Sequence, residues 1–556
     1  MSDGVERGIL ALRCALPSGW ETSILDGSGN GPYGLLHLLQ LRLALRFNKS
    51  VLDPETAQRD ALTRIIASVQ GTEFGSKAGL RPNLSYKEFV QAVPVRQSAD
   101  IEPELKRMAD GAVGVLTNHP IQSFVKTSGT TGAAKLLPVT RPWSRVVAEA
   151  QMLWTMGMVK EQEAVAWGKA LVTLGEAVEG VTAGGVSYGS NTGRMGGRQP
   201  WYVRARWAVP QAVAGIEDPE VRYYCMLRLA LNAPVTSWTT ANPSMILSMC
   251  RRFKEWETAL SEDIEAGTLD RGPASQLGSD VRRLLGKRIK KRSLPRNWDL
   301  LSFWDLACVN CWKGGPAHFF SRRIPAALGA SVPVRDVGLT ASEGFFAIPL
   351  HSSWNGGVAW VGGHLLELAP ASGGEVIPIY EAELGAEYRL IISTTAGLIR
   401  YDMNDWVRVV GWYGQTPVLQ FVGKGEDVSS VVGEKLTVEQ LSLAFERIFD
   451  GMDVQGAAMA VEMNEVPGYI LCVEGEVQPQ VSLALDEALC GLNVEYRSKR
   501  ESCRLNAPRL EVVPSGAFRR MHLEASAHGA ADGQVKDRLF LDERRCVRLL
   551  QGWRLQ

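Results

Sequence analysis

Phe124-Val125-Lys126-Thr127-Ser128-Gly129-Thr130-Thr131-Gly132-Ala133-Ala134-Lys135 is the stretch from which the rest of the chain is best read. A short apolar step with the character of a strand runs into four hydroxyl residues, Thr127, Ser128, Thr130 and Thr131, interleaved with Gly129 and Gly132. Glycines let backbone N–H groups come close to an anion. Ser and Thr hydroxyls donate further hydrogen bonds to phosphate oxygens. Lys135 adds a point charge that can follow a phosphate as it leaves. Ser/Thr/Gly stretches are usually plain loops, but the donor density, the closing lysine and the preceding strand point to a phosphate grip. The Gly129, Gly132 and Lys135 spacing does not fit GxxxxGK[ST], and no other segment supplies that motif. No GxGxxG follows a strand, which removes support for a dinucleotide fold.

Outward from this loop the chain divides by pattern. Leu35 to Phe47 and Thr56 to Val69 place apolar residues at helical spacing. From Phe124 onward, short apolar runs (Ala170 to Leu174, Val334 to Leu339, Arg389 to Ser393) alternate with Gly-rich turns and helical stretches. Pro243 to Gly267 reads as one long amphipathic helix after a Pro cap. Alternation of this kind predicts an α/β fold with helices packed on β-sheets. Near residue 422 the character changes again: a strand-like Val428 to Val432 precedes a helix starting at about Thr437. The division predicted is a large N-terminal domain over 1–421 and a smaller C-terminal α+β domain over 422–556. Ala525 to Gly533, rich in Ala and Gly, is the expected flexible stretch.

A chain of 556 residues is too long for one core of ordinary size. Its 45% hydrophobic and 22% charged residues are ordinary for a globular protein. Lys+Arg and Asp+Glu both number 60, so no net charge draws it to nucleic acid or anionic membrane. The basic run Lys287 to Arg292 has no interleaved aromatics and reads as a solvated helix end. Nine scattered cysteines fit reduced thiols of a cytoplasmic protein. Cys308 and Cys311 form a CxxC without two further ligands, and read as part of a buried strand. No run of 18 apolar residues appears, and the N-terminus is a poor secretory signal. Oligomeric state is not legible.

Four further segments follow the loop in order. They are Trp312-Lys313-Gly314-Gly315-Pro316-Ala317, Gly338-Leu339-Thr340-Ala341-Ser342-Glu343-Gly344, Gly397 to Val409, and Phe421-Val422-Gly423-Lys424-Gly425-Glu426-Asp427 with Gly433 to Leu436. Together with the loop they resemble the acyl-adenylate-forming, luciferase-like superfamily. More closely, they resemble the Gretchen Hagen (auxin-responsive promoter) family of acyl-acid amido synthetases. The resemblance spans roughly residues 70 to 540.

The resemblance implies ATP and Mg2+ as cofactors, and a small-molecule carboxylic acid and an amine or amino acid as partners. Thr127, Ser128, Gly129, Thr130, Thr131, Gly132 and Lys135 would grip phosphate. Gly314 and Gly315 would border the adenine, and Ser342 the nucleotide and acyl group. Glu343 would help hold the metal. Asp405 would accept from the ribose hydroxyls, with Asp402 a second carboxylate nearby. Lys424 is counted with the nucleotide-binding residues, and 423–427 would be a mobile hinge. Lys536 would contact the acyl phosphate. The acyl pocket would lie between Trp167 and Tyr202, including the Gly184 to Tyr188 turn, with Phe345 and Phe346. Two departures stand out: Leu339 where the superfamily often has an aromatic residue, and Asn404 where Gly is usual. They keep open the reading of a non-catalytic nucleotide-binding homologue; the other alternative is an acyl-CoA ligase that uses the same adenylate.

Overall fold

The computed structural model describes residues 32–127, 135–371, 373–425, 428–432, 434–527 and 538–551. It is a mixed α/β protein with a large N-terminal domain and a smaller C-terminal one. The first helices, Pro32–Leu52 and Pro54–Val69, cover the two apolar-periodic stretches. Asp53 caps the second by accepting from Thr56 N at 3.1 Å. Pro54 follows at a position where a missing N–H costs nothing. Buried Gln58 then ties this helix to a sheet. Its amide donates to Val361 O at 2.7 Å and to His364 O at 2.8 Å, and accepts from Leu366 N at 2.8 Å.

Three sheets build the large domain. The strand Ile121–Lys126 pairs antiparallel with Leu136–Thr140 and parallel with Ser187–Gly189. An eight-stranded antiparallel sheet includes Leu339–Ala341, Gly344–Ile348, Tyr401–Tyr413 and Thr416–Lys424. The third sheet is parallel, in the order Lys169–Val172, Val235–Thr239, Cys308–Cys311, Val334–Asp336. Parallel neighbours need long crossovers, and helices supply them here. Every residue of Cys308–Cys311 is buried, as expected of a strand covered on both faces. The CxxC is therefore core, and among the described residues no metal-binding cluster of three or more His, Cys, Asp or Glu occurs.

The C-terminal sheet has the order Arg509–Val512, Gly468–Gly475, Val454–Glu462, Phe540–Leu541. Helix Val438–Ile448 packs on it, opened by a capping box between Thr437 and Gln440. The large domain reaches into this core. Phe319 lies 5.6 Å from Phe445 and 6.1 Å from Phe449, ring to ring. Around it, Arg322 pairs with Glu446 at 2.7 Å and Arg408 with Glu439 at 2.8 Å.

Three expectations need correction. Pro243 to Gly267 is two helices, Pro243–Glu255 and Glu257–Ala266. Trp256 leaves helical geometry (φ −102°, ψ 11°), and its ring packs edge-on to Tyr224 at 5.5 Å. Val334 to Leu339 divides between two sheets, because Gly338 adopts φ +91° and turns the chain out of Val334–Asp336. Ala525 is helical, inside Ala517–Ala527, and 528–533 lie outside the described residues. The basic run behaves as read: helix Ser279–Gly286 ends just before it, and Lys287, Arg288, Lys290, Lys291 and Arg292 are exposed. No described helix is long and apolar enough to cross a membrane.

Candidate active site

A cleft opens where three neighbouring parallel strands end. Asn242 follows Val235–Thr239, Trp312 to Gly314 follow Cys308–Cys311, and Asp336 closes Val334–Asp336. Ligands of open α/β sheets bind outside the carboxyl ends of the strands. The opposite wall comes from the antiparallel sheet, with Leu339, Asp405 and Phe421. Gly314 and Gly315 sit where this wall comes closest. A Cβ on Gly314 would lie 2.7 Å from Phe421 O, and Gly315 has φ +56° with Phe421 and Val422 atoms at 3.0 and 3.1 Å. The paired glycines let the turn press against strand Thr416–Lys424, so their freedom serves packing of the cleft wall.

Strands Ile121–Lys126 and Leu136–Thr140, which flank the Thr127 to Lys135 stretch, pair antiparallel. The base of this stretch is closed twice: Thr127 N donates to Lys135 O at 2.9 Å, and Lys135 N to Thr127 Oγ1 at 3.0 Å. Ser128, Gly129, Thr130, Thr131 and Gly132 lie outside the described residues. Lys135 Nζ is hydrogen-bonded to Ser98 Oγ, at the start of helix Ser98–Ala109. Ser98 also bonds the hydroxyl of Tyr401.

Beyond Ser98, Tyr401 lies within the electrostatic reach of Glu343, Lys424 and Asp405. Burial raises the Tyr401 phenol's pKa, and the charge of Glu343 raises it further. Burial pulls Lys424 down, but Asp405 and then Glu343 outweigh it, so its pKa ends above the ordinary lysine value. Lys424 Nζ lies 2.6 Å from Asp405 Oδ1. The two are direct cross-strand partners on Tyr401–Tyr413 and Thr416–Lys424. Lys135 thus meets Ser98, Ser98 meets Tyr401 and Lys424 meets Asp405, while the charge of Glu343 bears on both Tyr401 and Lys424.

Backbone geometry sets each member. Ser342 and Glu343 form the two-residue turn between Leu339–Ala341 and Gly344–Ile348, with Ala341 paired to Gly344. Trp143 Nε1 pins this turn by donating to Glu343 O at 2.8 Å. A Cβ on Gly338 would meet Ala347 O at 2.5 Å, so only glycine fits before the hairpin. Asn404 adopts φ +57°, a left-handed conformation that Asn tolerates. Asp402 is occupied structurally. It pairs with Arg389 and accepts from Gln97 Nε2 at 2.9 Å, while its Oδ1 receives Asn404 N at 2.8 Å. Asp405 lines the cleft.

Other expected residues fall elsewhere. Phe346 is fully buried in the core of the eight-stranded sheet and packs on His364 at 5.2 Å. Phe345 is buried in a separate core on the other face. Alternation along a strand covered on both sides makes both rings core, not pocket wall. Tyr188 pairs with Phe124, which sets that segment beside the loop strand. Trp167 and Trp201 are exposed. Lys536 lies outside the described residues. Ser98 and Tyr401 were not singled out from sequence. Tyr401 sits in a quoted motif, but Ser98 is 37 positions from Lys135 and carries no local signal.

This architecture is an acyl acid amido synthetase fold. A solved GH3.15 acyl acid amido synthetase matches with a TM-score of 0.79 at 18% identity, over 91% of this chain and 95% of that one. The GH3 family N-terminal domain matches residues 44–334, the GH3 family central domain 364–424 and the GH3 family C-terminal domain 449–545. The chain belongs to the GH3 family. It is 24% identical over 550 residues to the indole-3-acetic acid-amido synthetase GH3.3 of Arabidopsis thaliana, covering 89% of this chain and 90% of that protein. To the jasmonoyl–L-amino acid synthetase JAR6 of Nicotiana attenuata it is 25% identical over 549 residues, covering 89% and 93%.

Proposed function

We propose that the chain is an ATP-dependent acyl acid amido synthetase. A carboxylate oxygen of the acid attacks the α-phosphorus of ATP, and pyrophosphate leaves. The amine of an acceptor, an amino acid in the favoured reading, then attacks the acyl carbon. The amide forms, AMP leaves, and the amine gives up a proton. The observation that carries this reading is the cleft at the strand ends, lined by Gly314, Leu339 and Asp405 with Lys424 paired to Asp405, together with the Lys135–Ser98 bond at the base of the Thr127 to Lys135 stretch. One ligand with a phosphate end and a diol end would satisfy it.

Within this reading, Thr127 and the hydroxyl loop Ser128 to Gly132 hold phosphate oxygens, and Lys135 offsets charge as pyrophosphate departs. Gly314, Gly315 and Leu339 flank the adenine, with aliphatic packing from Leu339. Asp405 accepts from the ribose hydroxyls, because a carboxylate's two oxygens suit a vicinal diol. Ser342 borders the α-phosphate and the acyl group. Mg2+ fits the donor set as a nucleotide-borne ion. Glu343 is one hard carboxylate, and such an ion takes the rest of its shell from phosphates and water. Bound there, it would neutralise phosphate charge. No covalent nucleophile is required.

The division at residue 422, with 423–427 as hinge, is part of the same reading. Rotation of the smaller domain would exchange the Phe319 and Arg408 contacts and bring Lys536 toward the acyl phosphate for the first step.

Acid-dependent exchange of pyrophosphate into ATP tests the first step across a panel of acids. Product analysis with an amino acid against coenzyme A tests the second. Exchange followed by amide is expected. Thioester alone would make the chain an acyl-CoA ligase, and no exchange with any acid would leave a nucleotide-binding homologue.

A further inference from the structure

Helix Asn191–Gly197 holds a buried cation that has no counter-charge among the described residues. Arg194 is 7% exposed. Its guanidinium lies over the Trp143 ring, 5.2 Å from the centroid. Nη2 donates to Asn191 Oδ1 at 3.1 Å, while Nε is buried with no acceptor. Among the described residues no carboxylate pairs with it, and the charge that bears on it is the like-signed Arg198. Burial, with Arg198 adding to it, pushes the guanidinium down to about 10. Desolvating a cation without a partner is costly. A buried charge left without a partner in this way is a candidate functional position.

Both neighbours of Arg194 lead to the Ser342–Glu343 turn. Trp143 donates to Glu343 O at 2.8 Å, and Asn191 Nδ2 to Ala341 O at 3.4 Å. The short helix is held rigidly. Ser190 caps it by accepting from Gly193 N at 3.0 Å, and a Cβ on Gly193 would lie 2.3 Å from Gly175 O. Arg194 is therefore set in place before any substrate arrives, which lowers the cost of binding one.

We propose that Arg194 is a specificity-determining residue that binds a substrate carboxylate beside the Ser342–Glu343 turn. The inference rests on the amido synthetase reading, in which the triphosphate is already met by the hydroxyl loop and Lys135. The other anion that the reaction brings is a carboxylate, and a guanidinium fork matches its two oxygens. Either substrate can carry it: the acid before adenylation, or an amino-acid acceptor throughout.

The test compares wild type with Arg194→Met and Arg194→Lys. If the acid is held, R194M raises the KM for acid in pyrophosphate exchange at least tenfold. If the acceptor is held, exchange is unchanged. The KM for the amino acid then rises at least tenfold, and that for the matching amine without a carboxylate does not. In either case R194K restores part of the loss, while the KM for ATP and the melting temperature hold. Unchanged KM values for both substrates, or equal rises for amino acid and decarboxylated amine, overturn the proposal. A wild type that catalyses neither step overturns the amido synthetase reading instead. Arg194 is then judged by benzoate and a panel of other carboxylates: stabilisation of wild type but not of R194M on thermal denaturation supports it, and an equal response in both overturns it.

Discussion

Replacing Asp405 with Asn tests the nucleotide site at the residue with the clearest geometry. Asp405 is buried, its Oδ1 is 2.6 Å from Lys424 Nζ, and it lines the cleft. Asn keeps the shape but removes the charge. Two losses follow, and they can be separated. Lys424 loses its counter-charge; breaking a buried pair costs about 3–5 kcal/mol. The Lys424 side chain is still 25% exposed, so water takes up part of this and about 2 kcal/mol is expected, read by urea denaturation. The second loss is a charge-assisted hydrogen bond to the ribose, worth about 1.5–3 kcal/mol, or roughly 10- to 150-fold in kcat/KM for ATP. Only this loss depends on the sugar hydroxyls. Wild type should therefore prefer ATP over 2′-deoxy-ATP in acid-dependent pyrophosphate exchange, and D405N should largely abolish that preference. A preference as large in D405N as in wild type refutes the placement of the ribose at Asp405, whatever the change in stability.

Two other perturbations follow from the same geometry. Gly314→Ala places a methyl group 2.7 Å from Phe421 O, and overpacking of this kind costs about 1–3 kcal/mol. The KM for ATP should rise and the melting temperature fall, whereas Gly215→Ala, with nothing within 4 Å, should do neither. His364 is buried, and burial, with Arg64 adding to it, holds its pKa down to about 3 against 6.5 for an ordinary histidine. The folded protein thus keeps this ring neutral while the unfolded chain protonates it. The stability involved is fully present above pH 6.5 and is lost as pH falls toward 3, at up to about 1.4 kcal/mol per pH unit. Urea denaturation from neutral to acid pH should show a shallower slope for His364→Leu, and parallel slopes would refute the assignment.

The parts of the site that were legible in sequence are those whose chemistry is contiguous. The Thr127 to Lys135 stretch stands out by donor density, and the start of the Pro243 helix by its proline. Asn404 could be read as a left-handed position because its side chain tolerates one. Asp405 needed motif order to be preferred over Asp402. In the fold Arg389, Gln97 and Asn404 occupy Asp402, whereas Asp405 lines the cleft. Phe345 and Phe346 misled because an aromatic pair looks the same in a core and in a pocket; only the sheets covering both faces decide between them.

By itself, then, the sequence determined the local devices: the hydroxyl loop, the glycine turns, the helix caps, and the order of motifs along an α/β chain. These depend on neighbouring residues and on backbone preferences that act within a few positions. Tertiary structure alone decided which devices meet. Helical crossovers brought the ends of three parallel strands together as one cleft wall, and the antiparallel sheet supplied the other. Ser98 reached Lys135 and Tyr401, and Arg194 was buried against Trp143 and Asn191, which bond the backbone of Glu343 and Ala341. Such meetings follow from sheet order and packing of elements far apart in the chain, and no spacing between consecutive residues records them.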